Sequence, residues 1–290
     1  MRCHKVVGRA ERSVRPLGLL GAILATIVAA CGPADPFGGR ASAQGTATTA
    51  APPSPSELPS EIPGGYRVTP LPASGTLTGS VSFDGVAPTD SIVHPAIDAD
   101  VCGKTLSDPT VQHRGPRLGA AVVWLTGITA GKGLPLTRRY DVVTETCRIL
   151  PRVQTAIVGG MLDVRSVDQV THQTRFMRGA DTLVVIPETE EGQVVPTAKP
   201  LAAAGLVLVS CDRHPWSRGW LVVFDQPYFA TTDADGGFTI DSVPPGRYAI
   251  SAWHERFGVV HDSVTVVAGR GSAPVALRFR GSARGRPASP

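Results

Sequence analysis

Long apolar runs are scarce in this sequence. The one candidate, residues 17–30, follows a basic start and is too short to span a bilayer. It has the length and flanks of a signal-peptide core instead. Aromatics make up 6% of the 290 residues, and no segment carries a convincing amphipathic helical face, which argues against a helix bundle. Net charge is missing as well. The formal +4 is carried by residues 1–30, where Arg2, Lys5, Arg9, Arg12 and Arg15 face one acid, Glu11, so the remainder is neutral. A neutral mature chain gives no electrostatic reason to expect a nucleic-acid partner. Methionine is rare too: besides Met1 there are only Met161 and Met177. Glycine and proline, at 32 and 26 residues, are plentiful, a composition that suits many short strands joined by turns.

The apolar run ends in Val28-Ala29-Ala30-Cys31-Gly32, which resembles a bacterial lipoprotein lipobox with Cys31 as the lipidated residue. Ala41-Ser42-Ala43 offers a competing cleavage site for plain secretion. These routes, and a retained anchor as the third, all predict an exported chain, at the periplasm or cell surface, in a compartment where disulfides persist. Residues 1–30 are thus expected to be a signal peptide. Residues 31–74, poor in large apolar side chains, are expected to be a flexible tether holding the folded part off the membrane.

The most informative stretch is 206–224. A β-branched apolar run ends in Ser210-Cys211-Asp212-Arg213-His214-Pro215-Trp216-Ser217, and a second apolar run follows. This reads as strand, tight loop, strand. A thiol and an imidazole three residues apart on such a loop are the soft ligands that copper or zinc prefers. Nucleophilic catalysis by Cys211 is the weaker reading, because no oxyanion motif or orienting carboxylate is evident beside it. With Cys3 in the leader and Cys31 assigned to lipidation, Cys102, Cys147 and Cys211 remain. Cys211 belongs to the metal-like loop, so Cys102 and Cys147 are the expected disulfide, against the alternative of three unpaired buried thiols.

Order is expected from Gly75, where Leu77, Val81 and Phe83 share one face. A polar stretch running to about Arg117, including Asp98 and Cys102, is expected to loop over an end of a sheet. Leu162 and Val164 alternate with Asp163 and Arg165, and His172, Thr174 and Phe176 point to one side of a further strand. Asp233-Ala234-Asp235-Gly236-Gly237 is a hairpin turn rather than a calcium loop, for it lacks the further carboxylates. Trp253-His254-Glu255 and His261 do not have metalloprotease spacing and are expected to have structural or surface roles. Trp216 and Trp220 are expected to pack at a sheet end. Residues 281–290 should fray.

Two resemblances follow. Residues 75–224 resemble the cupredoxin, or plastocyanin-like, fold through Ser166-Val167-Asp168 ahead of His172, the distant Cys211-x-x-His214 loop and the closing strand 220–224. Residues 225–280 resemble a carboxypeptidase regulatory-like domain, a small transthyretin-like sandwich, through the 231–240 hairpin and Val243-Pro244-Pro245-Gly246-Arg247-Tyr248. The fold class these imply is all-β: a Greek-key β-sandwich followed by a smaller one. The first resemblance implies that His172, Cys211 and His214 are trigonal copper ligands, with one-electron transfer to a partner protein and no catalysis. It also marks a departure, because relatives carry Met where this chain has Ser217, and often Asn where it has Gln173. The alternatives are a zinc-filled site, or an empty one in a metal-free structural or interaction module that holds a protein or polysaccharide partner.

Overall fold

The computed structural model describes residues 61–62 and 65–280. The signal segment, Cys31 and the tail 281–290 lie outside the described residues. Strand dominates, with a single four-residue helix, Ala99–Cys102, among the described residues. No helix there is long and apolar enough to cross a membrane. The architecture is an all-β sandwich fold, as the alternating and turn-punctuated sequence requires.

A central sandwich is built from one continuous stretch. One sheet orders Arg148–Leu150, Arg139–Glu145, Met161–Ser166 and Val195–Pro196 side by side. The other orders Val153–Ile157, Arg218–Phe224, Gly205–Cys211, His172–Arg178 and Asp181–Glu188. Two pairings are parallel, Arg139–Glu145 with Met161–Ser166 and Val153–Ile157 with Arg218–Phe224. Parallel neighbours cannot be joined by a hairpin, so the chain must cross between sheets to make them. Val142, Leu162 and Val164 from one sheet bury against Phe176, Val207, Val209 and Leu221 of the other. Each such side chain contributes about 1.5–3 kcal/mol by leaving water. In His172–Arg178 the buried positions are His172, Thr174 and Phe176. A one-residue slip would turn all three outward, so burial of Phe176 also holds His172 inward.

A flanking sandwich surrounds this stretch in the chain. Val122–Thr126 pairs with Phe229–Thr231 and with Gly246–His254, which in turn pairs with Gly258–Val266. Gly75–Phe83 pairs with Gly237–Val243 and, in parallel, with Val275–Phe279. The expected boundary at 224/225 therefore does not hold. Strands from 75–126 belong with those from 229–279, because Leu77, Val81, Val123 and Leu125 share one apolar core with Ile240, Ile250 and Leu277. The expected tether is also too long by several residues: Tyr66 is 2% exposed and stands edge-on to Tyr228, and Tyr66–Val68 pairs with Ala130–Gly131. In the 233–237 turn Asp233 accepts backbone N–H groups from Asp235 and Gly237, as a hairpin turn demands. Gly236 has φ +72°, and a Cβ there would sit 2.6 Å from the Val81 carbonyl, so only glycine closes that turn.

The sandwiches meet through Val122, Val222 and Phe224, with Trp124, Phe229 and Trp253 packed around them. Phe224 stacks on Phe229 at 4.4 Å, and Trp220 stands edge-on to Trp253 at 5.7 Å. Beside them Arg152 donates to Glu255 and Asp108, and Trp220 Nε1 donates to Glu255. Trp220 is thus a packing residue with its polar edge satisfied, and Glu255 is structural, as expected. Between Phe83 and Arg117 the chain leaves the flanking sandwich as an arm that carries the pairing of Ser91–Val93 with Leu106–Asp108 and the helix Ala99–Cys102.

Candidate metal centre

Two strand ends and one turn assemble the site. Cys211 ends Gly205–Cys211, and Thr174 lies opposite it in the neighbouring strand, so His172 sits two residues beyond at the same end. His214 follows in a turn closed by the Ser217 N–H donating to the His214 carbonyl and the Cys211 N–H donating to the Ser217 carbonyl. All three side chains are buried, His172 and His214 completely and Cys211 to 3% exposure. The Cys211 Sγ lies 3.7 Å from His172 Nδ1 and 3.5 Å from His214 Nδ1. The three expected ligands are therefore brought together, each ring showing Nδ1 to the sulfur.

The far nitrogens face carboxylates. Asp168 Oδ2 lies 3.0 Å from His172 Nε2, close but out of line for a hydrogen bond, and Asp98 Oδ2 lies 3.1 Å from His214 Nε2. A carboxylate on the remote nitrogen fixes the tautomer that leaves the near nitrogen free to bind a cation. Asp168 is itself held by the Thr146 and Cys147 N–H groups at 2.6 and 2.8 Å. Burial, and then His214, hold the His172 pKa below its ordinary value, with Asp168 working the other way. The ring is thus neutral at neutral pH, the form a metal requires.

The sulfur receives the Gln173 backbone N–H at 3.5 Å, while the Gln173 carbonyl accepts from the Asp212 N–H. The position after His172 braces the loop through its main chain, which any residue supplies. Beneath the site Glu188 stands opposite His172 and links the sheets, accepting from Thr144 and Thr174. Burial raises its pKa against those hydrogen bonds. Cys102 and Cys147 form the expected disulfide. It staples the arm to the central sandwich, and its sulfurs and a ring nitrogen of His214 lie within 4.8 Å of one another.

The donor set fits a metal. Thiolate and imidazole bonds of about 2.3 and 2.0–2.1 Å, opened to tetrahedral or trigonal angles, put sulfur and nitrogen about 3.6–3.8 Å apart. The separations here are 3.5 and 3.7 Å. No thioether completes the set. Met161 and Met177 each lie five residues from the site end of their strands, about 16 Å away. Ser217, where the resemblance would place a methionine, is 1% exposed, and its Oγ is buried without a hydrogen-bond partner.

Two features escaped the sequence. Asp98 and Asp168 are orienting carboxylates, which removes one reason given against a Cys-His nucleophile. Cys211 itself is buried to 3% exposure beside two imidazoles. Asp168 could have been noticed from its four-residue spacing to His172. Asp98 lies 116 positions from His214 and left no local signal. Trp216 packs edge-on to His214 at 5.2 Å. A cleft of about 760 Å³ lies elsewhere, at the junction of the sandwiches beside Trp124 and Trp253.

Comparison with known proteins bears on the fold in part. Residues 191–273 match the family model of polysaccharide lyase family 4, domain II. That segment crosses from the central sandwich into the flanking one, and its description differs from the carboxypeptidase regulatory-like resemblance of 225–280. No curated protein matches. Among solved structures the chain is similar to a Cu-containing nitrite reductase from Thermus scotoductus SA-01, with 18% identity, TM-score 0.27 and coverage of 35% of this chain and 25% of that one. The chain thus spans about a quarter of the nitrite reductase. It is also similar to a purple cupredoxin from Nitrosopumilus maritimus, with 16% identity, TM-score 0.26 and coverage of 29% and 99%. Amicyanin from Paracoccus versutus follows, with 22% identity, TM-score 0.27 and coverage of 31% and 85%. Alignments with such TM-scores carry no argument about function.

Proposed function

We propose that this protein binds copper through His172, Cys211 and His214 and serves in one-electron transfer at the cell envelope. The observation that carries the reading is the convergence of one sulfur and two Nδ1 atoms at the separations that a shared ion would impose, with a carboxylate near each remote nitrogen. A trigonal thiolate and bis-imidazole set accommodates both copper oxidation states, and that one-electron change is the chemistry the ion supplies. The chain's own part is to hold the donors still. Asp98 holds the His214 ring, Asp168 faces the His172 ring, the Gln173 N–H tempers the charge on sulfur, and strands on both sides limit reorganisation. Ser217 offers at most a weak oxygen in place of a thioether, which lowers the potential relative to a methionine-ligated centre. A redox partner protein and a lipid anchor on Cys31 complete the reading, which is one of binding rather than catalysis.

Colour is the test. Cu(II) added to the full chain is expected to give a thiolate charge-transfer band in the visible range, lost in Cys211→Ser and in His172→Ala. Colourless protein that releases all copper on dialysis refutes the reading and leaves a metal-free interaction module.

A further inference from the structure

The arm between Phe83 and Arg117 crosses from the flanking sandwich to the ligand end of the central one, and three contacts pin it there. Asp98 meets His214 at 3.1 Å and Arg213 at 3.6 Å, Cys102 is bonded to Cys147, and Asp108 accepts from Arg152. Under this cover His214 has no exposed surface, although Asp212, Arg213 and Pro215 around it are exposed. Asp98 also forgoes a local role. It precedes the helix Ala99–Cys102 in the left-handed region, φ 52°, and makes no side-chain capping bond. Aspartate at a helix start ordinarily caps it; here the carboxylate goes to the imidazole instead. At the other end of the disulfide Asp168 takes the Cys147 N–H and faces His172. The S–S bond therefore joins the segment that carries Asp98 to the residue whose N–H holds Asp168.

We infer that the Cys102–Cys147 disulfide is a latch on the site: it fastens the arm over His214 and keeps Asp98 there as a positioning residue, so that its thiol–disulfide state governs access to Cys211 and the imidazoles. Partly exposed ion pairs contribute little alone, so the covalent link is the dominant fastening. A dithiol reductant opens it by passing two electrons and two protons to the two sulfurs, giving two thiols while the dithiol closes to its own disulfide. The metal part of the inference rests on the copper reading; the access part does not.

The experiment reads both. Metal-free full chain is treated with iodoacetamide, and alkylation of the Cys211 peptide is followed by mass spectrometry. The forms compared are the native chain, the dithiol-reduced chain, the Cys102→Ser/Cys147→Ser variant and Asp98→Ala with its disulfide intact. The expected result is at least about tenfold faster alkylation in the two unlatched forms and a smaller rise in Asp98→Ala, a scale taken from the cost of removing such supporting partners. Amide exchange of the remote strand Val275–Phe279 should not change, which separates opening of the arm from unfolding. If the double variant fails to fold, Asp98→Ala carries the same comparison. Equal alkylation rates overturn the latch. In parallel, Cu(II)-loaded forms are mixed with a chelator. Asp98→Ala should release copper about 10–100-fold faster, and Asp98→Asn, which keeps an acceptor oxygen, should stay near the native rate. Separated alkylation rates with no copper retained would sink the copper reading and leave the latch; retained copper with equal rates of alkylation and release would do the reverse.

Discussion

His254 should make the flanking sandwich sensitive to mild acid by a calculable amount. The residue ends the strand Gly246–His254 at 1% exposure, against the rings of Phe257 and Phe279, and its Nδ1 accepts the Arg256 N–H at 3.2 Å. Burial first, then the charges of Arg152 and Arg256, lower its pKa from 6.5 to about 3. The unfolded chain therefore binds a proton that the folded chain refuses. Stability is complete above about pH 6.5 and falls by about 1.4 kcal/mol for each pH unit below it, until the folded pKa is reached. Between pH 7.5 and pH 5.0 the loss is about 2 kcal/mol, a large part of a total that is typically about 5–15 kcal/mol. His254→Asn keeps an oxygen for the Arg256 N–H but does not titrate. It should lose stability at pH 7.5 through the cavity it leaves, yet show a pH dependence smaller by about 2 kcal/mol. Urea unfolding of both proteins at the two pH values, with the disulfide intact, measures the difference. Because His172 titrates in both, it cancels. Parallel pH profiles would show that His254 is protonated in the folded state or already shielded in the unfolded one.

Glu255→Gln should cost about 3 kcal/mol, since it leaves Arg152, 18% exposed, with Asp108 as its one remaining carboxylate. In a domain of this size that lowers Tm by about 6–12 °C, and a fall of under 2 °C would mean the network is solvated. Ser217→Met should add a thioether to the ligand turn at the cost of about 1–3 kcal/mol in overpacking and, if the copper reading holds, raise the potential and shift the visible band. An unchanged potential and spectrum would put the side chain at 217 away from the ion.

Some of this was legible in the residues. Cys211 and His214 share one loop between apolar runs, so their meeting is nearly a local fact, and the alternation through Phe176 decided which way His172 points. Asp98 was not legible, because its place depends on how the arm folds back across 116 positions. The sandwich boundary failed for a related reason. Hairpins such as 231–240 announce themselves, whereas the pairing of Gly75–Phe83 with Val275–Phe279 is a contact between distant strands with no turn to mark it. Tyr66 was lost in a Pro- and Ser-rich stretch where a single aromatic makes no pattern.

The nesting of one sandwich inside the other has a consequence for how the chain reaches its native state. Leu125 and Gln226 are 101 positions apart, yet the Gln226 amide donates to the Leu125 carbonyl at 3.0 Å, and Tyr228 and Leu125 join main chain to main chain beside them. Closing so long a flexible loop is an entropic cost that a prefolded insert removes, since it delivers both of its ends to one place. The core of the flanking sandwich is likewise complete only when Val275–Phe279, the last strand in the chain, lies beside Gly75–Phe83.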